Sequence, residues 1–183
     1  MVAAGIGASV ATTKQWLARI GGFESFADYL ADDFELGNRL SASGGRVILS
    51  RESVWTMYLA QTWRGFWQHQ LRWARTVRLC RPLSYFGLLF TQGLPWAVLA
   101  ALLAPSTAVA AAYLGFYLLL RTAMAWIVGV SGISDAVLRR RLWLLPIRDV
   151  FHFAVWLAGF FSNRIVWSGT KYKVRDGRMV PIP

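Results

Sequence analysis

Among its 183 residues the sequence holds one cysteine, two histidines and nine acidic side chains, against twenty lysines and arginines. A single cysteine, Cys80, excludes an intrachain disulfide, and no Cys/His cluster has zinc spacing. The phosphate-cradling G-x-x-x-x-G-K, the H-E-x-x-H zinc helix and the G-x-S-x-G nucleophile elbow are all absent. No Asp-x-Asp occurs either. The opening "MVAAGIGASVATT" lacks the charged start of a signal peptide and reads like the middle of a domain.

The scarcity of acid leaves a net charge of +11, supplied almost entirely by arginine. Such a balance suits phosphate-bearing ligands, anionic lipid or nucleic acid. Nucleic acid is the partner to set aside. The chain is 56% apolar with a mean hydropathy of +0.40, and two of its runs are each long enough to cross a bilayer. Membrane lipids are the expected surroundings.

Three zones follow. Residues 1–53 are mixed and globular in character. "TTKQWLARIGGF" has a helical pattern in Trp16, Leu17 and Ile20, closed by Gly21–Gly22. "SFADYLADDFELGNRLSASGG" predicts a second helix, with Phe26, Tyr29, Leu30, Phe34 and Leu40 at helical spacing. "RVILS" is a strand candidate. In residues 54–81, a helix would gather Trp63, Phe66, Trp67, Trp73, Ala74 and Val77 on one side. Arg64, Gln68, Arg72 and Arg75 would gather on the other. An aromatic face opposite a basic face suits a helix in the headgroup layer; the other reading is an amphipathic helix packed on a soluble core.

Residues 82–130 predict a transmembrane hairpin. Leu83 to Ala104 carries no charge, and its roughly 22 residues would span ~33 Å, with a kink at Pro95. Ala108 to Val130 returns, with Arg121 as its one charge. Arginines precede the first crossing and Arg139–Arg141 follow the second, so the positive-inside rule puts both on the cytoplasmic face. Residues 131–163 contain a basic loop and a third apolar segment, Leu142 to Phe161. Pro146, Arg148, Asp149 and His152 interrupt it, leaving it re-entrant, interfacial or transmembrane. Residues 164–183 form a basic tail.

Few residues could carry chemistry. Asp32 and Asp33 are adjacent, hence about 100° apart on a helix, and seldom share one proton. One could act as a general base towards a hydroxyl; a solvated helix face is the other reading. In "HQLRW", His69, Arg72 and Trp73 sit on neighbouring faces of one turn. They can present imidazole, guanidinium and indole together to a phosphate and a sugar. The other reading is an interfacial belt with snorkelling arginine. His152 reads as a packing histidine. Arg121 is either functional or near enough to one end to reach the interface.

"IGGFESFADYLADDFELGNRL", then "HQLRW", then paired membrane segments and the ending "VWSGTKYKVR" resemble the carboxyl-terminal half of the ceramide glucosyltransferase family. That is glycosyltransferase family 21, whose members are membrane relatives of the processive family-2 synthases. The resemblance implies a mainly α fold: a partial, acceptor-side segment of a GT-A-type glycosyltransferase domain, then an interfacial helix and a transmembrane hairpin. It implies Asp33, with Asp32 beside it, as the catalytic base. The family's Gln/Arg-x-x-Arg-Trp matches His69, Arg72 and Trp73, which would close over the donor diphosphate and the acceptor. His69 departs from the pattern, and Gln68 is a candidate substitute.

The implied partners are a UDP-sugar and a lipid acceptor, ceramide-like or hopanoid, in a bacterial inner membrane with the catalytic face cytoplasmic. A divalent metal, Mg or Mn, is implied with ligands outside this chain, in a longer parent or a split partner subunit. The implied reaction is inverting hexosyl transfer from the UDP-sugar, with the isolated chain inactive. Rival readings are part of a processive polysaccharide synthase and a non-catalytic membrane anchor or lipid-binding subunit.

Overall fold

The computed structural model describes residues 10–50, 62–167, 170–175 and 177–182. The chain divides into two compact units. One combines Met1–Arg81 with Ser162–Pro183; the other is Pro82–Phe161. The fold is mainly helical, with one small sheet. Residues 54–61 of the expected interfacial region lie outside the described residues.

In the first unit the Thr13 hydroxyl accepts from the Trp16 N–H and starts helix α1, Lys14–Arg19. Gly21 and Gly22, at φ of 89° and 73°, end it as the sequence predicts. Helix α2, Asp32–Ala42, begins well after Ser25, where the sequence pattern placed its start. The reason is in the backbone. The Leu30 N–H donates to the Gly177 carbonyl at 2.9 Å, and the Asp28 carbonyl accepts from the Met179 N–H at 2.8 Å. Residues 28–30 thus pair with the tail, and a helix cannot use the same groups.

The tail itself is a three-stranded antiparallel sheet in the order β1 (Arg164–Trp167), β2 (Thr170–Arg175), β3 (Arg178–Pro181). Arg175 pairs with Arg178, and Gly177, just before β3, takes a positive φ of 78°. Along "TKYKVR" Tyr172 and Val174 turn inward while Lys171, Lys173 and Arg175 stay exposed. Two apolar clusters hold the unit. Ile20, Phe26 and Leu36 form one; Leu30, Ile165 and Val174 form the other, joined by Leu79 from helix α3, Trp63–Cys80.

The strand expected at "RVILS" is not formed. Arg46–Ser50 joins no sheet among the described residues, and Ile48 and Leu49 are exposed. β-Branched composition does not make a strand without a partner edge, and the sheet in this unit is completed by the tail. Ile165, 3% exposed, is a junction of tail, α2 approach and α3. Ile165→Ala is expected to destabilise the unit by about 2–4 kcal/mol. Limited trypsin digestion, cutting at Lys171 or Lys173 earlier than in the wild type, would measure it.

The second unit begins with α4, Pro82–Gly87, continues through a 3₁₀ turn at Leu88–Thr91, and then α5, Gly93–Leu102. The two halves meet at a 57° bend. The sequence placed the kink at Pro95, but the break falls at Gln92. Pro95 is the third residue of α5, where its missing N–H is harmless, and its ring excludes a helical carbonyl four residues earlier at Thr91. Helix α6, Thr107–Ala125, runs into a π-helical stretch, Trp126–Gly132. Together they make 26 residues long and apolar enough to cross a membrane. Gly129 lets the short α7, Ala136–Arg140, close on this stretch; a Cβ there would come 2.1 Å from Leu138 Cδ2.

The ambiguous third segment is one unbroken helical stretch, Leu142–Gly159, whose regular part is α8, Leu145–Gly159. It too is long and apolar enough to cross. Its charge is compensated: Asp149 accepts from Arg121 Nε at 2.7 Å and Nη2 at 3.0 Å, and from the Tyr117 hydroxyl. Arg121, read from sequence as either functional or close enough to reach the interface, therefore belongs to a polar cluster joining α6 to α8, and His152, read as a packing residue, lines the same cavity.

Candidate functional site

The sequence-predicted site residues all lie in the first unit. Helix α3 starts at Thr62, whose hydroxyl accepts from the Gly65 N–H at 3.1 Å. Its far half is bolted to the tail sheet. Arg75 Nη1 donates to the Arg164 carbonyl at 2.7 Å, Arg78 Nη2 donates to the Ser162 carbonyl at 3.0 Å and to Asn163, and Leu79 enters the apolar cluster. Two of its arginines are thus spent on structure. The aromatic side is open: Trp63 is 81% and Trp73 50% exposed.

His69 and Trp73 come together as their spacing predicts, and Arg72 lies close enough for its charge to act on His69. The His69 and Trp73 rings lie 6.1 Å apart, tilted by 38°. Arg72 is half-buried, and burial lowers its proton affinity below the usual arginine value. Among the described residues its guanidinium has no hydrogen-bond or ion-pair partner, and its carbonyl accepts from the Thr76 hydroxyl. Burial, and then the Arg72 charge, push His69 below its ordinary value of 6.5. His69 is therefore neutral at pH 7 and can offer a hydrogen bond but no charge. Gln68 is exposed on the same turn. Among the described residues Arg72 is a cation without a counterion, on the same helical stretch as the His69 and Trp73 rings, and such a set suits an oxyanion carried by a stackable group.

The acidic pair is placed differently from expectation. Asp32 and Asp33 are the first two residues of α2, not part of a continuous helical face. The Asp33 N–H donates to Asp32 Oδ1 at 2.9 Å, and the Phe34 N–H donates to Asp33 Oδ1 at 2.8 Å. Acid in the first turn opposes the helix macrodipole, so both carboxylates have a structural use. Asp33 Oδ2 takes no hydrogen bond among the described residues. The pair faces the C-terminal end of α3. Burial, then Glu35 and Asp33, raise the Cys80 thiol, and the Arg81 guanidinium lies 5.7 Å from the Phe34 ring centre. Cys80 is eight residues beyond Arg72, ~12 Å along the helix. The structure thus brings His69 to Trp73 and Arg72 in the middle of α3 and sets Asp33 near its C-terminal end.

No group of three or more His, Cys, Asp or Glu converges among the described residues. The implied divalent metal therefore finds no fitting ligand set here. Asp32 and Asp33 each commit one oxygen to a backbone N–H, leaving too little for a first coordination shell.

Helix α3, with exposed Trp63 and Trp73, precedes helices long and apolar enough to cross a bilayer, which is consistent with a membrane protein. The family model for glycosyl transferase family 21 matches residues 2–180, and the chain belongs to that family. No curated protein and no solved structure matches it. The resemblance read from "IGGFESFADYLADDFELGNRL", "HQLRW" and the ending "VWSGTKYKVR" is thereby upheld at the level of the family, and membership supports a glycosyltransferase activity.

Proposed function

We propose that this chain is the acceptor-side part of a membrane glycosyltransferase that moves a hexose from a UDP-sugar to a lipid hydroxyl with inversion, the acceptor being ceramide-like or hopanoid. The observation that carries this reading is Arg72: half-buried, close to His69, whose ring lies near that of Trp73, with no acid to neutralise it among the described residues. A nucleoside diphosphate leaving group supplies the missing negative charge. Its departure builds up charge on the bridging oxygen, and a guanidinium aimed at that oxygen lowers the barrier. Trp73 and neutral His69 border the sugar and nucleotide faces, with Gln68 adding an amide donor. The exposed Trp63, Trp73 and Val77 supply the apolar contact with lipid.

Inversion follows from direct displacement: the lipid hydroxyl attacks the anomeric carbon opposite the diphosphate while a base takes its proton. Asp33 is the base in this reading. The Phe34 N–H holds Oδ1 and leaves Oδ2 for the hydroxyl proton. Reaching the donor requires the acceptor to bridge from the Asp33 end of α3 towards its middle. The residues that hold nucleotide and metal belong, in this reading, to another part of a longer parent, and the 183-residue chain by itself does not turn over.

The adjacent acids provide the test. Both occupy the first turn of α2 and both accept from backbone N–H groups, so an asparagine at either position costs helix stability alike. In the intact enzyme Asp33→Asn is expected to lower transfer by roughly 10²–10⁴-fold while donor binding persists. Asp32→Asn is expected to stay within a few-fold. Equal small effects at both positions would leave the pair a helix-start feature and remove Asp33 from the chemistry.

A further inference from the structure

The second unit encloses a cavity of about 540 Å³ among the Gln92 break, α5, α6 and α8. Its walls are apolar: Leu94, Ala97, Phe116, Leu120 and Met124. Its polar lining includes the hydrogen-bonded group of Arg121, Asp149 and Tyr117, with Arg148 and His152 from the same helix as Asp149, and Gln92. Gly93 makes the floor possible, since a Cβ there would stand 3.1 Å from the Tyr117 ring. The volume is in the range of small-ligand sites, and the lining is amphipathic.

The polar lining has a sign. Arg121 and Asp149 cancel, and two of the five guanidinium N–H groups of Arg121 are used in doing so. Three N–H groups remain. Arg148 adds a full positive charge, exposed at the rim, with no hydrogen-bonded acid among the described residues. The His152 ring and the Gln92 amide add further donors. Asp149, the one carboxylate, already accepts from Arg121 twice and from Tyr117. The site therefore offers donors in excess and a surplus positive charge above an apolar slot. A ligand that answers both features has an anionic, oxygen-rich head and a hydrocarbon tail.

We propose that this cavity holds one anionic membrane lipid, its phosphate against Arg148 and the free N–H groups of Arg121, its acyl chain along Leu94, Ala97 and Leu120. The lipid is a resident of the fold, not consumed in transfer. It is independent of Arg72 and Asp33, which lie in the other unit. Its binding offsets the cost of keeping Arg148 and a half-used Arg121 among apolar helices.

The test uses the whole chain, delipidated in detergent and titrated with dioleoyl phosphatidylglycerol or dioleoyl phosphatidylcholine, with bound lipid counted by native mass spectrometry. Phosphatidylglycerol is expected to bind about five-fold or more tightly than phosphatidylcholine, the scale of one basic residue at a headgroup. Arg148→Gln should erase that preference and Arg148→Lys should keep it. Ala97→Trp, which fills the slot from the apolar side, should remove the bound lipid without touching the charges. Equal binding of the two lipids by the wild type, or a preference that survives Arg148→Gln, would overturn the anionic head. Undiminished lipid on Ala97→Trp would overturn the cavity as its place. The Trp and Gln variants fail independently, so loss of one to misfolding leaves the other decisive.

Discussion

Replacing Arg72 by alanine is expected to lower sugar transfer by about 10²–10³-fold, the scale of losing one charged group aimed at a leaving oxyanion. Protein yield and thermal unfolding should be unchanged. The contrast with its neighbours on α3 makes this specific. Arg75 and Arg78 are tied to carbonyls of the tail, so their removal should loosen the first unit and affect activity only through folding. Arg72 ties to no described group through its guanidinium, so its removal is expected to cost the fold less than that of Arg75 or Arg78. Arg72→Lys should restore only part of the rate, because an ammonium supplies the charge but not the two-pronged grip on a diphosphate. The loss should fall on kcat more than on the KM for the nucleotide sugar, since the diphosphate carries its extra charge only as the bond breaks. Wild-type rates for Arg72→Ala in a folded enzyme would leave the tryptophan–arginine turn a membrane belt and nothing more.

What could be read from the sequence divides along a physical line. Local signals were legible. The Thr13 start and glycine stop of α1, and the single turn that brings His69 to Trp73, depend only on spacing. Pairing between distant segments was not. "TKYKVR" alternates inward Tyr172 and Val174 with outward charges, and "RDG" carries the Asp-Gly turn signal. Those were the available signs of the tail sheet, masked by its basic composition. The same distant pairing delays the start of α2 and moves Asp33 from a mid-helix face to a helix terminus. "RVILS" erred in the opposite sense, having strand-like composition but joining no sheet among the described residues. In the apolar region Asp149 reads as an interruption because its compensation, Arg121 and Tyr117, lies about thirty residues away. Compensation at such a separation leaves no periodic trace. The candidate site was legible as a list of residues; the distance between Asp33 and Arg72 along α3 was not.

Cysteine labelling across the membrane is expected to show positions 75, 140 and 173 on one face and position 105 on the other. The first unit fixes the parity. Its core is made from chain on both sides of Pro82–Phe161: Leu30 and Leu79 pack with Ile165 and Val174, and residues 28–30 hydrogen-bond the β2–β3 hairpin. An odd number of crossings between Arg81 and Ser162 would divide that core between two aqueous phases. Three stretches are available, so all three cannot cross. By length and composition alone, Thr107–Gly132 and Leu142–Gly159 are the unbroken candidates. The basic residues favour another pair. Crossing by Leu142–Gly159 with Thr107–Gly132 would leave Arg139, Arg140 and Arg141 on the face opposite Arg78 and Arg81, against the positive-inside rule. The bent stretch is not disqualified by its bend. A 57° change of direction carries the chain onward, and about twenty residues so bent still reach ~28 Å against a ~30 Å core. Pro82–Leu102 and Thr107–Gly132 are therefore expected to cross, and Leu142–Gly159 to lie along the membrane with Arg148 and His152 near the headgroups. In a Cys80→Ala background, a membrane-impermeant reagent added from outside should modify a cysteine at Pro105 and spare those at Arg75, Arg140 and Lys173. Modification at 140 with protection at 75, 105 and 173 would make the bent stretch re-entrant and α8 a crossing. Modification at 75 would invert the protein and put Arg72 out of reach of cytosolic sugar nucleotides, ending the proposed transfer reaction. Modification at 173 with 75 protected would show that the tail and α3 do not share one core.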